Sequence, residues 1–120
     1  MLKSKFTGFA VLAGSFLTFT TADAAPAQKV DVTVKSLCTE KGTHFNILNN
    51  GPKWPEKAKL KIFFADDQSE ITVRKIKLGQ GHSASFRIKT KIAAGRPLGV
   101  YVDPEWYERQ FKFDATQKCT

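Results

Sequence analysis

The sequence predicts an all-β protein, a two-sheet antiparallel sandwich of six or seven short strands. Three observations predict it. Short runs alternate apolar and polar residues, clusters of Gly, Pro, Asn and Asp separate these runs, and no segment shows a helical period.

The first 24 residues are predicted to be a secretory signal peptide. A basic start at residues 1–5 precedes an apolar stretch from Phe6 to Phe19, and Ala22-Asp23-Ala24 fits an A-x-A cleavage site. A membrane anchor is the alternative, but the stretch is shorter than the roughly 20 residues that cross a bilayer. We therefore expect a periplasmic or secreted protein with a short tether at 25–28, one domain at 29–120, and no transmembrane segment after cleavage.

The strands are recognised by apolar residues that recur at every second position and so share one face of a sheet. The inward sets, in chain order, are Val30, Val32 and Val34; Phe45 and Ile47; Leu60, Ile62 and Phe64; Ala84, Phe86 and Ile88; Leu98, Val100 and Val102; and Phe111, Phe113 and Ala115.

One run, between the third and fourth of these sets, is less regular. Ile71 and Val73 lie on one parity, whereas Ile76 and Leu78 lie on the other. We predict a bulge or a change of sheet near Lys75.

The two cysteines of the chain are predicted to form a disulfide. Cys38 and Cys119 lie near opposite ends of the domain, each on the inward side of its strand. In an oxidising compartment an isolated pair most simply forms a bond. This bond would tie the first strand to the last and stabilise the fold by about 4 kcal/mol in the chain-entropy model.

The exported domain is basic. The chain has 19 Lys and Arg against 11 Asp and Glu, and removal of Lys3, Lys5 and Asp23 leaves 17 against 10. Such a surplus attracts anionic partners, although lysines also protect strand edges and solvated faces. Because an exported protein meets the envelope, we expect an envelope protein or an anionic glycan or lipopolysaccharide as partner, and nucleic acid is disfavoured.

Aromatic residues in loops are the candidate binding anchors. Trp54 lies between two prolines, Trp106 and Tyr107 follow Pro104, and all three lie outside the alternation; Trp and Tyr are enriched at binding sites. They could instead fold back over the end of the sandwich. If exposed, they would extend an apolar strip of outward strand residues flanked by lysines. The candidate partner-binding residues are Trp54, Phe63, Tyr101, Trp106, Tyr107, Lys61 and Lys112.

No catalytic or metal-binding arrangement is predicted. His82 and Ser83 are only chain neighbours, and two distant histidines with a disulfide supply no zinc site. The acidic groups at 66–70 and 103–108 do not match a calcium loop. We therefore expect no enzyme, cofactor or metal; a small inhibitor or hydrolase that uses the Asp103 to Glu108 loop is the alternative.

Four segments, in this order, resemble the bacterial CARDB family, an immunoglobulin-like domain associated with cell adhesion: residues 45–51, 60–64, 76–83 and 100–104. The resemblance implies an immunoglobulin-like sandwich of about seven strands and a binding role, without a ligand or site residues. We expect a non-enzymatic binding module. A structural accessory subunit of a larger secreted or membrane complex is the second hypothesis.

Overall fold

The computed structural model describes residues 29–119. The predicted signal peptide, its cleavage site and the tether at 25–28 lie outside the described residues. Within them, the chain forms seven strands and one short helix. These are β1 (Val32–Thr39), β2 (Gly42–Asn49), β3 (Ala58–Phe64), β4 (Glu70–Ile76), β5 (Ser83–Lys89), α1 (Thr90–Ala93), β6 (Leu98–Pro104) and β7 (Ala115–Gln117).

The strands form two antiparallel sheets. One has the order β1-β2-β5 and the other the order β4-β3-β6-β7. Every neighbouring pair is antiparallel. The immunoglobulin-like sandwich predicted from the sequence is confirmed.

The core lies between the sheets and is built by the predicted alternation. On the two central strands of the larger sheet, β3 and β6, residues at every second position are fully buried, and β2 supplies the opposing layer. The buried side chains of these three strands include Phe45, Ile47, Leu60, Ile62, Leu98, Val100 and Val102.

The irregular fourth run contains a bulge, but not at the predicted place. Ile62 pairs with Thr72 and Phe63 with Glu70, so Ile71 is the extra residue on β4. The bulge turns Ile71 toward the core and leaves Val73 on the outer side. The prediction of a bulge near Lys75 was therefore wrong by a few residues.

The predicted last strand is shorter than its sequence pattern indicated. It comprises only Ala115–Gln117, paired with Leu98, Gly99 and Val100 of β6. Phe111 and Phe113 precede it, and Phe111 is exposed rather than directed into the core. Alternation alone could not reveal this, because an apolar face on either side of a sheet gives the same period.

The predicted disulfide between Cys38 and Cys119 is present, with the two Cα atoms 5.6 Å apart. Cys38 lies on β1 of one sheet, and Cys119 follows β7 of the other. Beside it, the Ser36 hydroxyl donates a hydrogen bond to Gln117 Oε1 at 2.7 Å. The bond therefore joins the two sheets along one side of the sandwich.

The last two observations on the described residues concern helices. The single helical turn α1 was not predicted, since four residues are too few to show a period. No helix within residues 29–119 is long and apolar enough to cross a membrane.

Candidate functional site

The outer surface of the four-stranded sheet carries the candidate site. Leu60 and Ile62 of β3 face the core, so Lys61 and Phe63 face outward. Tyr101 of β6 lies directly opposite Lys61 in the strand register. The structure therefore brings together three of the predicted residues on neighbouring strands.

The chain segment before β7 lies across this surface and adds two phenylalanines. Phe111 packs edge-on against Tyr101 and Phe63, with ring centroids 4.9 and 5.7 Å apart. Phe113 lies 5.8 Å from Phe63 and 5.1 Å from Phe111. These separations are typical of favourable aromatic pairs. We call Phe63, Tyr101, Phe111 and Phe113 the aromatic face.

An acidic side chain holds this segment in place. The Asp114 carboxylate accepts hydrogen bonds from the Val102 backbone N–H at 2.9 Å and from Arg109 Nη2 at 2.7 Å. The Asp114 N–H donates to the carbonyl of Val100 at 2.7 Å. Asp114 thus bonds to the backbone of β6 through both its carboxylate and its N–H. The residues that precede it cross the outer surface of the sheet.

Tyr101 forms the base of the aromatic face and is not itself available to a partner. Only 4% of it is exposed, and its hydroxyl donates a hydrogen bond to the Arg109 carbonyl at 2.9 Å. Burial, reinforced by the charge of Asp103, raises the pKa of Tyr101 above that of a free tyrosine. Its role is to support Phe111.

Phe111 and Val73 are the exposed apolar side chains of this surface. They are 42% and 41% exposed, respectively. Val73 lies opposite Lys61 on β4, so it extends the apolar area across the sheet toward its edge. The alternation had placed Phe111 in an inward set, and it left the core side of the run that contains Val73 undecided.

A group of lysines borders the aromatic face at the other end of the same strands. Lys59 lies directly opposite Lys75 in the β3–β4 pair, an arrangement that is unfavourable for like charges. The acidic residue next to these lysines, Asp103, forms its ion pair with Lys61 at 3.1 Å. No other ion pair in residues 29–119 involves these lysines. Lys112, also predicted, is exposed on the segment that carries Phe111.

The predicted tryptophans lie elsewhere, at one end of the sandwich. Trp54 is 1% exposed and belongs to the core, so it is not a surface anchor. Trp106 packs on it with ring centroids 6.0 Å apart, and Tyr107 lies 6.1 Å from Trp106. The Tyr107 hydroxyl accepts a hydrogen bond from the Val30 N–H at 2.8 Å. These residues close the end of the core, which is the second of the two interpretations considered above.

The acidic loops form structural ion pairs. Arg96 donates to both carboxylate oxygens of Asp66 at 2.8 and 3.0 Å and reaches Asp67 at 3.2 Å. The hydrogen bond from Arg96 lowers the pKa of Asp66, and that from Ser69 lowers the pKa of Asp67. Glu105 and Glu108 are exposed. Across residues 29–119, no cluster of three or more His, Cys, Asp or Glu could hold a metal ion.

No family model, curated protein or solved structure matches this chain.

Proposed function

We propose that the protein is an exported, non-enzymatic binding module that docks a protein of the cell envelope on the outer surface of its four-stranded sheet. The exposure of Phe111 and Val73 on one surface carries this proposal. The outward side of an antiparallel sheet usually bears polar residues when it faces only water. Grouped apolar side chains with a polar border are typical of interaction sites.

The lysines beside the aromatic face indicate the chemistry of the partner. Lys59 and Lys75 repel each other across the strands, and a carboxylate of a partner placed between them would relieve that repulsion. The favoured partner surface therefore combines apolar side chains with acidic ones. Binding should be faster at low ionic strength, because exposed charges steer association and salt screens them.

Two further features support an envelope location and a binding role. A disulfide joins the two sheets, and disulfides persist in oxidising compartments such as the periplasm and the cell exterior. The predicted signal peptide leads to the same compartments. Membership of the CARDB family, proposed on the resemblance of four segments, would add a general role in adhesion.

Site-specific photocrosslinking in intact cells tests the proposal. A photoreactive amino acid replaces Val73 in one variant and Leu37 in a control variant. Leu37 is the matched control because it is an aliphatic residue, 63% exposed, on the other sheet. We expect one discrete protein adduct from position 73, absent from position 37, and weakened by Phe111→Ser or by Lys59→Glu with Lys75→Glu.

The other outcomes separate the rival functions. Adducts from position 37 alone would place the interface on the three-stranded sheet and overturn the proposal. Retention on an anionic glycan column that salt abolishes, without any protein adduct, would indicate a polymer as the partner. Co-purification of one stoichiometric protein at high salt, without crosslinking, would favour the accessory-subunit hypothesis. An activity lost in Glu105→Gln or Glu108→Gln would favour the inhibitor or hydrolase hypothesis.

A further inference from the structure

A second surface feature lies where β4 and β5 form the outermost strands of their two sheets. The sheets separate there, and a cavity of about 180 Å³ opens between them. Its floor is formed by the buried residues Ile62 and Ile88. Its sides include Thr72, Arg74, Phe86 and Arg87. The cavity therefore has an apolar base and a polar, cationic mouth.

Arg74 is held at this mouth by the strand register. It lies opposite the core residue Leu60 on β3, so its side chain starts from the inner side of the sheet. Its guanidinium carbon lies 6.0 Å from the centre of the Phe86 ring, within the range of a cation–π contact. This contact directs a planar, fork-shaped donor across the cavity entrance.

Arg74 has no acidic partner within the described part of the chain. The ion pairs there involve Lys61, Arg96 and Arg109. Arg74 is exposed at the cavity, whereas the Arg87 side chain starts from the outer side of β5, because its neighbours Phe86 and Ile88 face the core. Guanidinium groups bind carboxylate and phosphate oxygens strongly because the bonds are charge-assisted and paired.

We propose that this cavity binds a small organic anion, a carboxylate or phosphate carried on a short apolar stem. The anionic head contacts Arg74, and the stem enters between the sheets toward Ile62 and Ile88. The site is separate from the aromatic face and does not depend on the function proposed for it. An inward arginine on an outer strand can also serve only to prevent edge-to-edge aggregation, and the experiment below separates the two roles.

The test is an NMR titration of the oxidised protein with hexanoate, which has a carboxylate head and a short apolar stem. Acetate supplies the head without the stem, and 1-hexanol the stem without the charge. We expect saturable shifts of the backbone amides of Thr72, Arg74, Phe86 and Arg87 with hexanoate. Acetate and hexanol should each bind at least about tenfold more weakly, since each loses one of the two contributions.

Arg74→Met removes the charge and keeps the apolar side chain, and Lys75→Met is its matched control on the same strand. We expect Arg74→Met to weaken hexanoate binding about tenfold and Lys75→Met to leave it nearly unchanged. If Arg74→Met does not fold, Arg74→Gln carries the same expectation, because it also removes the guanidinium charge. The proposal would be overturned if Arg74→Met and Lys75→Met lost hexanoate affinity equally, if the amide shifts lay outside the cavity, or if the titration did not saturate. Aggregation of Arg74→Met with its hexanoate response intact would also overturn it and would leave Arg74 as edge protection.

Discussion

Gly99 of β6 lies directly beneath the ring of Phe113, so that a Cβ at residue 99 would stand 2.6 Å from two ring carbons. The absence of a side chain lets the ring lie on the sheet itself. Phe113 in turn packs against Phe63 and Phe111. The aromatic face therefore depends on one glycine whose role is close approach rather than an unusual backbone angle.

The first prediction concerns this contact. Gly99→Ala should displace the Phe113 ring and lower the free energy of unfolding by about 1–3 kcal/mol, the usual cost of overpacking. Urea unfolding measures it. In a Phe113→Ala background the same glycine change should cost much less, because the obstructing ring is gone. Additive losses in the double variant would show that the two residues do not interact.

The second prediction concerns Asp114, which attaches the aromatic segment to β6. Asp114→Ala removes the acceptor of the Val102 N–H and the carboxylate partner of Arg109, which keeps only its hydrogen bond to the Val102 carbonyl, so we expect a loss of about 2–4 kcal/mol in unfolding free energy. Asp114→Asn keeps one carbonyl acceptor and is the control. It should lose less stability, and its spectrum should retain the ring-current shifts of Phe111 and Phe113. Equal losses in the two variants would mean that the hydrogen bonds to Asp114 do not hold the segment.

These contacts show which parts of the molecule the sequence could predict. The alternation on β2 and β3 gave the core faces, because one side of each strand is buried and the period of two is strict. The disulfide followed from two cysteines and their parity. The outward placement of Phe111 could not be predicted, since it depends on the long-range bonds of Asp114 to β6. The bulge at residues 70–72 was predicted too late in the chain, because both faces of β4 carry apolar residues.

The third prediction concerns the disulfide. Replacement of Cys38 and Cys119 by Ser should lower the unfolding free energy by about 4 kcal/mol, because the bond closes a loop with a sequence separation of 81 residues. Reduction of the wild-type protein should reproduce the loss in urea unfolding. Intact-mass analysis of the unreduced protein should show two hydrogens missing. Two free thiols, or an unchanged urea midpoint after reduction, would contradict the prediction.

The fourth prediction is a pH dependence from the Asp66–Arg96 pair. The hydrogen bond from Arg96 lowers the pKa of Asp66 in the folded protein. The stabilisation is therefore fully present above the unfolded pKa, about 3.8, and is lost as the pH falls through the lower folded value. The difference in urea midpoint between wild type and Arg96→Met should be larger at neutral pH than in acid.

A control separates this ion pair from packing. Arg96 also lies over the Phe64 ring at 3.7 Å, and that contact does not titrate with Asp66. Arg96→Lys keeps a positive charge and should preserve part of the pH dependence. A midpoint difference that is the same at all pH values would assign the whole effect of Arg96 to its stacking on Phe64.

The last prediction concerns Trp106, which the sequence offered either as an exposed anchor or as a cover for the core. Its ring packs against the buried Trp54, so Trp106→Ala should lower the unfolding free energy by about 2–4 kcal/mol through lost packing. Phe111→Ala is the control, since Phe111 is 42% exposed and should cost less. Photocrosslinking from position 73 should rank the two variants the other way. Among the molecules that remain folded, Phe111→Ala should weaken the adduct more than Trp106→Ala does. An unchanged urea midpoint for Trp106→Ala, combined with a lost adduct, would make Trp106 a binding residue and move the interface to the end of the sandwich.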